Sequence, residues 1–582
     1  MTKITLGLAG FIGHDPAAAV FVDGELIAAI EEERLIRKKH AKGELPYHAA
    51  IECMKIAGVR GADVNYIAIP CAPTSFFSRA RWHYAYRHWY APDRTIDSIF
   101  NGNRRYKRSL RELRYLAEQL QVSDVGRKVV SVPHQLAHAS SCYHLNESDE
   151  KTAIFCIDSK GEYSSIFLGY GEEGKIVKIK EFFNPDSLCG MYAALTDYLG
   201  FETLDGEFKV MGVSPFGDPQ KYDFSSLAYF DGTDFRVNTK LISTVGFRRY
   251  KAKSKGHYFS KKLVEMLGPR RIGNLFEDPF VHYAAAIQKL YEDISVALVK
   301  NYLGDILKET GRLAVSGTGS MNIRLNQRLS SIPEVHSYIV NPTCSDAGAA
   351  IGAASYALRG RGFGMKPLKN VYLGPAYNTD QCINACLSHP EKPYWEIIPA
   401  PHKRAAELLA NGQPVAWLRG RMEFGARSLG NRSIFASPNQ AGITDTINQQ
   451  VKFRDKRRRF SFSIIDSVAK DFLPKDKQDQ YMCMSLPVSM RWREQYPEVI
   501  YADGTTRAQV VTEEANEDLY KLLTCFQEIT GHGLLINTAL SRPGEVLACS
   551  PEDALNVFIG TDLNYLILEN VLVTKRQSTT VW

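Results

Sequence analysis

At 582 residues the chain is too long for one hydrophobic core, and with 45% apolar and 23% charged residues its composition excludes a disordered protein. A formal charge of +7 is modest for this length; it argues against a dedicated nucleic-acid platform and suits small anionic substrates. Eleven scattered cysteines without a CxxC pair argue against a zinc ribbon and point to reduced thiols in a cytoplasmic protein.

The opening stretch, KITLGLAGFIGHDPAAAVFVDGELIAAIEEER, reads as strand, loop, strand, a tight turn at Asp23-Gly24, and strand. His14 and Asp15 interrupt an apolar run that would otherwise mimic a signal peptide. No run in the chain approaches the roughly 18 apolar residues of a membrane span, so no membrane partner is expected. Residues 79–115 interleave Arg, Tyr, Trp and His. That composition can stack on and neutralise nucleic acid, and an amphipathic helical insertion explains it equally well.

VPHQLAHASSCYH, residues 132–144, follows the apolar run KVVSV and sets His134 and His138 four apart, on one face of a helix. Two imidazoles so placed can grip one metal ion, or lie as two partly buried helix histidines. Gln135 stands where a metalloprotease HExxH helix carries its Glu, so peptide hydrolysis is not implied. Strands are expected at 153–159 and through 164–183, the latter with a Gly-containing hairpin turn. Residues 279–310 carry apolar side chains at helical spacing, with Gly311 as the stop. RLAVSGTGSMNIRLNQRL then reads as strand, Gly-rich turn and helix, a pattern that suits phosphate and also occurs in ordinary turns. HSYIVNPTCSDAGAAIGAASYAL gives strand, loop and a helix of small residues.

A Gly/Pro-rich stretch around 361–380 divides the chain into an N-terminal domain, 1–365, and a C-terminal domain, 381–582. The second opens with a helix at PHKRAAELLANG and a strand at QPVAWLRG. Its loops concentrate Arg, Lys, Asn and Gly, as in GRMEFGARSLGNRS and VKFRDKRRRFSF, which suits bidentate capture of phosphate or carboxylate.

Taken together, HDPAAAVFVDG, AAIEEERLIRKKH, HQLAH, DSKGE, LDGEFKVMG, SDAGAAIGAA, GRMEFGARSLGNRS, VKFR, DGTTRAQ and NTAL occur in the order found in a known family. The chain resembles the O-carbamoyltransferases of natural-product biosynthesis and nodulation-factor modification, over nearly its whole length. The resemblance implies an α/β protein with an N-terminal domain of the actin-like ATPase superfamily (duplicated βαβ) and a C-terminal YrdC-like α/β domain. It implies that the YrdC-like domain makes carbamoyl adenylate from carbamoyl phosphate and ATP with Mg²⁺. The N-terminal domain then transfers the carbamoyl group, beside a metal, to a hydroxyl of a small-molecule acceptor. An RNA-binding or tRNA-modifying protein is the alternative, but no nucleic-acid partner is expected. The family often forms homodimers.

The resemblance also assigns residues. His134, His138, Asp158 and Asp346 match the family's metal ligands, a mixed N/O set suited to Fe²⁺, Mn²⁺ or Zn²⁺. His14 matches the histidine placed near the acceptor hydroxyl, where an imidazole can take its proton. Glu207, Lys209, Gly317 and Asn322 are expected to line the adenylate pocket. Arg421, Arg427, Arg432, Lys452, Arg454, Arg507, Asn537 and Arg542 are expected to bind carbamoyl phosphate and ATP, with Arg432 and Lys452 catalytic. Lys456, Arg457 and Arg458 read instead as a solvated basic face. The chain departs from the family pattern at Ser159, in SGTGSMN, at Ala426 and Ser428, in RDKRRRFSF, and in NTALSRPGE, where Ala539 lacks a hydroxyl.

Overall fold

The opening strand pattern becomes β1 (Ile4–Ala9), β2 (Ala17–Val22) and β3 (Glu25–Glu31), with a turn at Asp23-Gly24 where both residues have positive φ. The architecture is that of a computed structural model, which describes residues 2–11, 13–89, 91–146, 149–243, 256–340, 342–474 and 479–575. β1 is buried throughout and β2 is buried but for Val22, as befits continuous apolar runs at the centre of a sheet. With β4 (Tyr66–Ile69) and β5 (Val129–Ser131) they form a sheet of order β3-β2-β1-β4-β5, in which β1, β4 and β5 run parallel.

A second sheet repeats this plan. It contains β6 (Thr152–Ile157), β7 (Ser164–Glu172) and β8 (Lys175–Phe183). A small hairpin of β9 (Ala228–Phe230) and β10 (Phe235–Val237) follows, and then β11 (Arg312–Ser316) and β12 (Ser337–Ile339). The sheet order is β12-β11-β6-β7-β8. In both sheets the earliest strand is central, the next two are laid to one side, and two later strands add in parallel on the other. One strand plan is thus used twice in this part of the chain. On edge strand β8, Lys175, Lys178 and Lys180 alternate with apolar residues, a pattern that discourages edge-to-edge pairing. The helix Phe280–Thr310 buries Ile287, Tyr291, Leu298 and Leu303 in the core of this half, and ends at Gly311 in the left-handed region, as its spacing predicts.

Between β4 and β5 the Arg/aromatic segment forms three helices, Arg79–Arg87, Pro92–Asn101 and Arg104–Gln119. Tyr84, Ala85, Leu113 and Leu116 face inward, while Phe77, Tyr86, Trp89 and Phe100 are exposed. The expected linker carries no helix or strand from 361 to 378. The helix Thr379–Ser388 begins there, with Asn378 and Gln381 forming a capping box.

The C-terminal part holds an eight-stranded mixed sheet. Its strands are β13 (Tyr394–Ile397), β14 (Val415–Leu418), β15 (Arg432–Ala436), β16 (Ser461–Ile465), β19 (Ala508–Val511), β20 (Leu534–Ala539), β21 (Tyr565–Leu568) and β22 (Val571–Thr574). A short ladder of β17 (Leu486–Pro487) and β18 (Thr505–Thr506) stands apart. The large sheet runs β13-β22-β21-β14-β15-β20-β16-β19. Helices Pro401–Ala410 and Glu517–Thr530 bury Leu409, Leu519 and Phe526 with Trp417 and Phe435 of the sheet.

The chain divides into two compact units. The first comprises residues 1–13, 17–26 and 59–368, and the second 14–16, 27–58 and 369–582. The sequence places its division near 365–381; the structure adds two N-terminal segments to the second unit. All eleven cysteines are free thiols. Among the described residues no helix is long and apolar enough to cross a membrane.

Candidate metal centre and cation cluster

The His134–Tyr143 helix follows β5 directly, and its first turn carries His134. The His134 backbone N–H donates to the Glu162 carboxylate at 3.3 Å, and its ring Nδ1 lies 3.4 Å from the Pro70 carbonyl. That contact turns Nε2 toward the cluster, as a carbonyl bound to the other ring nitrogen does in metal-binding histidines. His134 Nε2 lies 3.1 Å from Asp158 Oδ2 and 3.1 Å from His138 Nε2. His138 Nε2 lies 3.5 Å from Asp346 Oδ1.

Asp158 is delivered by the end of β6, and Asp346 by the loop before the helix Ala349–Arg359. That helix packs closely on the histidine helix: a Cβ on Gly352 would collide with the Ala137 carbonyl, so only glycine allows the approach. One ligand atom from each of His134, His138, Asp158 and Asp346 falls within 4.8 Å of all the others. Two imidazole nitrogens and two carboxylate oxygens converging so tightly fit a divalent cation.

The electrostatics agree with that fit. Burial alone would lower the His134 pKa, but hydrogen bonds to Asp158 and Asp346 raise it well above the usual imidazole value. Burial and the Asp346 charge push Asp158 up, yet the two histidines hold it below the ordinary carboxylate range. Protons here do what a cation would do, which is to offset two carboxylates in a buried place.

Sequence reasoning missed two residues at this centre. Glu162 of DSKGE ties His134 N–H and Ala72 N–H together. Thr318 donates from its backbone N–H to Asp158 Oδ1 at 3.3 Å, and its hydroxyl lies 3.2 Å from Asp346 Oδ1. Thr318 lies in the loop that departs from the family pattern, so no motif flagged it.

The remaining first-unit candidates are placed as follows. Gly317 has φ +87 and sits against the Ile157 backbone, where a side chain would not fit. Asn322 caps the helix Ile323–Ser330 with its side-chain oxygen and exchanges hydrogen bonds with Gln288. Glu207 and Lys209 lie on the helix Gly206–Val213, with the Lys209 ammonium 5.2 Å over the Phe201 ring.

His14 belongs to the second unit. Its Nδ1 lies 2.8 Å from Asp15 Oδ2, and Asp15 Oδ1 lies 2.8 Å from His40 Nδ1. Burial raises the Asp15 carboxyl, but these two imidazoles bring it below its ordinary value.

The C-terminal candidates divide sharply. Lys452, Arg454 and Arg507 cluster, and Arg458 joins them. Burial, with Arg454 nearby, pushes the Lys452 ammonium down to about 7. Burial and the charges of Arg458 and Arg507 bring Arg454 to about 9. Arg458 is also lowered, by burial and by Arg507. By accessible surface Arg458 is half-buried, whereas Lys456 and Arg457, read with it as a solvated face, are exposed, with Arg457 paired to Asp455. Arg507 has Asp479 as a neighbour, but burial raises that carboxyl to about 6. Cations crowded together in this way favour an anion in their midst.

The other residues make different contacts. Arg432, fully buried, donates to the carbonyls of Cys549, Arg419, Gly420, Asn431 and Pro375. Arg421 donates to those of Gly374, Leu373 and Ile27. Arg542 pairs with Glu545. Asn537 shares a buried network with Ser428, Ser463 and Gln509. Arg427 is exposed.

Comparison with known proteins shows the family to which the chain belongs. The family model for the carbamoyltransferase N-terminus matches residues 4–355, and that for the carbamoyltransferase C-terminus matches residues 406–575. "Uncharacterized protein sll1178" of Synechocystis sp. is 30% identical, across 99% of this chain and 97% of its own. "Nodulation protein NolNO" of Sinorhizobium fredii is 30% identical, across 98% of this chain and 80% of its own. Among solved structures, full-length HypF in its phosphate- and nucleotide-bound form covers 61% of this chain and 55% of that one, at 14% identity and a TM-score of 0.28. That likeness is too slight to add to the topology described above. The sequence matches along both halves are decisive: the chain belongs to the O-carbamoyltransferase family and is a carbamoyltransferase.

Proposed function

We propose that the two sites divide one reaction between them. In the second unit, read as YrdC-like, water releases phosphate from carbamoyl phosphate, and the carbamate oxygen then attacks the α-phosphorus of ATP, giving carbamoyl adenylate with pyrophosphate leaving. Lys452, Arg454, Arg458 and Arg507 bind the anions there, and their charges offset the repulsion between two polyanionic substrates. Arg421 and Arg432 hold loop backbone in place rather than touch substrate, because their guanidiniums are already bonded to carbonyls. In the first unit the acceptor hydroxyl attacks the carbamoyl carbon, AMP departs, and an O-carbamate forms.

His134, His138, Asp158 and Asp346 would hold a divalent ion such as Fe²⁺, Mn²⁺ or Zn²⁺. Such an ion, when bound, stabilises negative charge on the departing AMP as a Lewis acid. Thr318 orients both carboxylates, and Glu162 fixes the first turn of the histidine helix. Glu207, Lys209 and the Gly317 turn line the adenylate. With Nδ1 donating to Asp15, the His14 ring keeps Nε2 as its basic atom, the form that a base for a hydroxyl proton requires.

The observation that carries this reading is the four-residue cluster of convergent nitrogen and oxygen atoms in a chain matched along both halves by carbamoyltransferase models. Incubating the protein with ATP, carbamoyl phosphate and Mg²⁺, and following pyrophosphate, tests the first half-reaction without an acceptor. Pyrophosphate release that requires carbamoyl phosphate is expected. Its absence from folded protein sinks the proposed activation step.

A further inference from the structure

The Arg/aromatic helices between β4 and β5 have no part in the reaction as described so far, yet hydrogen bonds link them to the metal centre. The link begins at Asp186, whose carboxylate is almost completely buried. The helix Arg79–Arg87 supplies two of its partners. His83 Nε2 lies 2.9 Å from Oδ2, and Arg87 donates to Oδ1 at 2.7 Å and to Oδ2 at 3.3 Å. From β10, Arg236 donates to Oδ2 at 3.0 Å and the Val237 N–H to Oδ1 at 2.9 Å. A carboxylate taken out of water is costly unless its lone pairs are met, and here five donor contacts meet them.

From Asp186 the chain grips the metal ligand Asp158 on both sides. The Ser165 hydroxyl donates to the Asp186 carbonyl at 2.6 Å, while the Ser165 carbonyl accepts from the Asp158 N–H at 2.9 Å. The next residue, Ser187, directs its hydroxyl at the carbonyls of Asp158 and Ser159, at 3.2 and 3.0 Å. The same hydroxyl oxygen accepts the Gly190 N–H at 3.0 Å, capping the helix Leu188–Tyr198. Ser187 is therefore fixed by the helix it caps. It holds the peptide units on either side of the position where the chain carries Ser159 instead of the usual glycine.

We infer that the Asp186–Ser187 pair is a positioning brace. It fixes the metal ligand Asp158 against the helix Arg79–Arg87, so that the helical insertion shapes the metal centre without touching the metal. The inference rests on the metal reading of the four-residue cluster. Partners that orient a ligand typically change metal affinity ten- to a hundred-fold when removed.

The test uses the full chain and Mn²⁺, with affinity read by electron paramagnetic resonance. Ser187→Ala, and His83→Ala combined with Arg87→Ala, are expected to weaken Mn²⁺ binding about ten- to a hundred-fold. Carbamoyl-phosphate-dependent pyrophosphate release should stay at the wild-type rate, and Arg87→Lys should restore much of the affinity. Folded variants that bind Mn²⁺ as the wild type does would overturn the brace. So would an affinity loss matched by an equal loss of pyrophosphate release, since that reports general unfolding. If the wild type itself binds no Mn²⁺, the metal reading fails and the brace goes with it; a wild type that binds, with unaffected variants, sinks the brace alone.

Discussion

Lys452 and Arg432 looked alike as basic residues in family motifs, and their surroundings separate them. Lys452 sits among other cations, and its Nζ donates to the Ala539 and Ser541 carbonyls. Arg432 is wrapped by five carbonyls. Lys452→Ala is therefore expected to cut pyrophosphate release at least a hundred-fold while Mn²⁺ binding is unchanged. Arg432→Ala is expected instead to lower the unfolding midpoint, by roughly 3 kcal/mol or more of stability, because buried carbonyls lose their donor; thermal denaturation distinguishes the two. A pH dependence follows from the depressed lysine. Folded Lys452 loses its proton near pH 7, whereas unfolded lysine keeps it to about 10.5, so this group favours the folded state increasingly as pH rises through that interval. A bound anion restores the ammonium, so carbamoyl phosphate should bind with proton uptake and more weakly above pH 7. Calorimetry in buffers of different ionisation enthalpy measures that uptake. The sequence could not separate the two cations, because a motif records which residue is present and not which carbonyls surround it. Arg458 was missed for the same reason: a run of basic residues looks uniformly solvated until the fold half-buries one of them beside other cations.

At the level of elements, patterning carried much of the information. The helix Phe280–Thr310, the hairpin at Glu173-Gly174 and the strand before the Gly-rich turn all follow from spacing and turn chemistry. What spacing could not give was convergence: His134 and His138 share a helix face, but only the fold brings Asp158 and Asp346 to them. The Gly317 turn shows why that convergence is strict. Its φ of +87 and its approach to Ile157 bring Thr318 to both carboxylates. Gly317→Ala should destabilise the protein by roughly 1–3 kcal/mol through strain at positive φ. It should also weaken Mn²⁺ binding as Thr318 withdraws, and a wild-type affinity in the folded variant would refute that linkage.

Across the whole molecule, metal binding and folding are coupled. An ion that binds only the native cluster stabilises the chain by about 2.7 kcal/mol at a hundred times its dissociation constant. Mn²⁺ should therefore raise the melting temperature of the wild type, a chelator should reverse the rise, and His138→Ala should abolish it. The duplicated sheets were legible only through the family resemblance, because two similar strand orders leave no repeated motif in the sequence. The N-terminal segments of the second unit were not legible. Arg34, far from the C-terminal half in sequence, donates to the Gly425 carbonyl, and Arg37 donates to those of Val546 and Leu547.

Those arginines belong to a segment, 27–58, that the second unit borrows from the beginning of the chain. A gene cut after residue 368 would not yield two working proteins, because its downstream product would lack the arginines that cap its own loops. The two units are thus inherited as one reading frame, and a recombination event seeking to exchange one of them has no single place to break it.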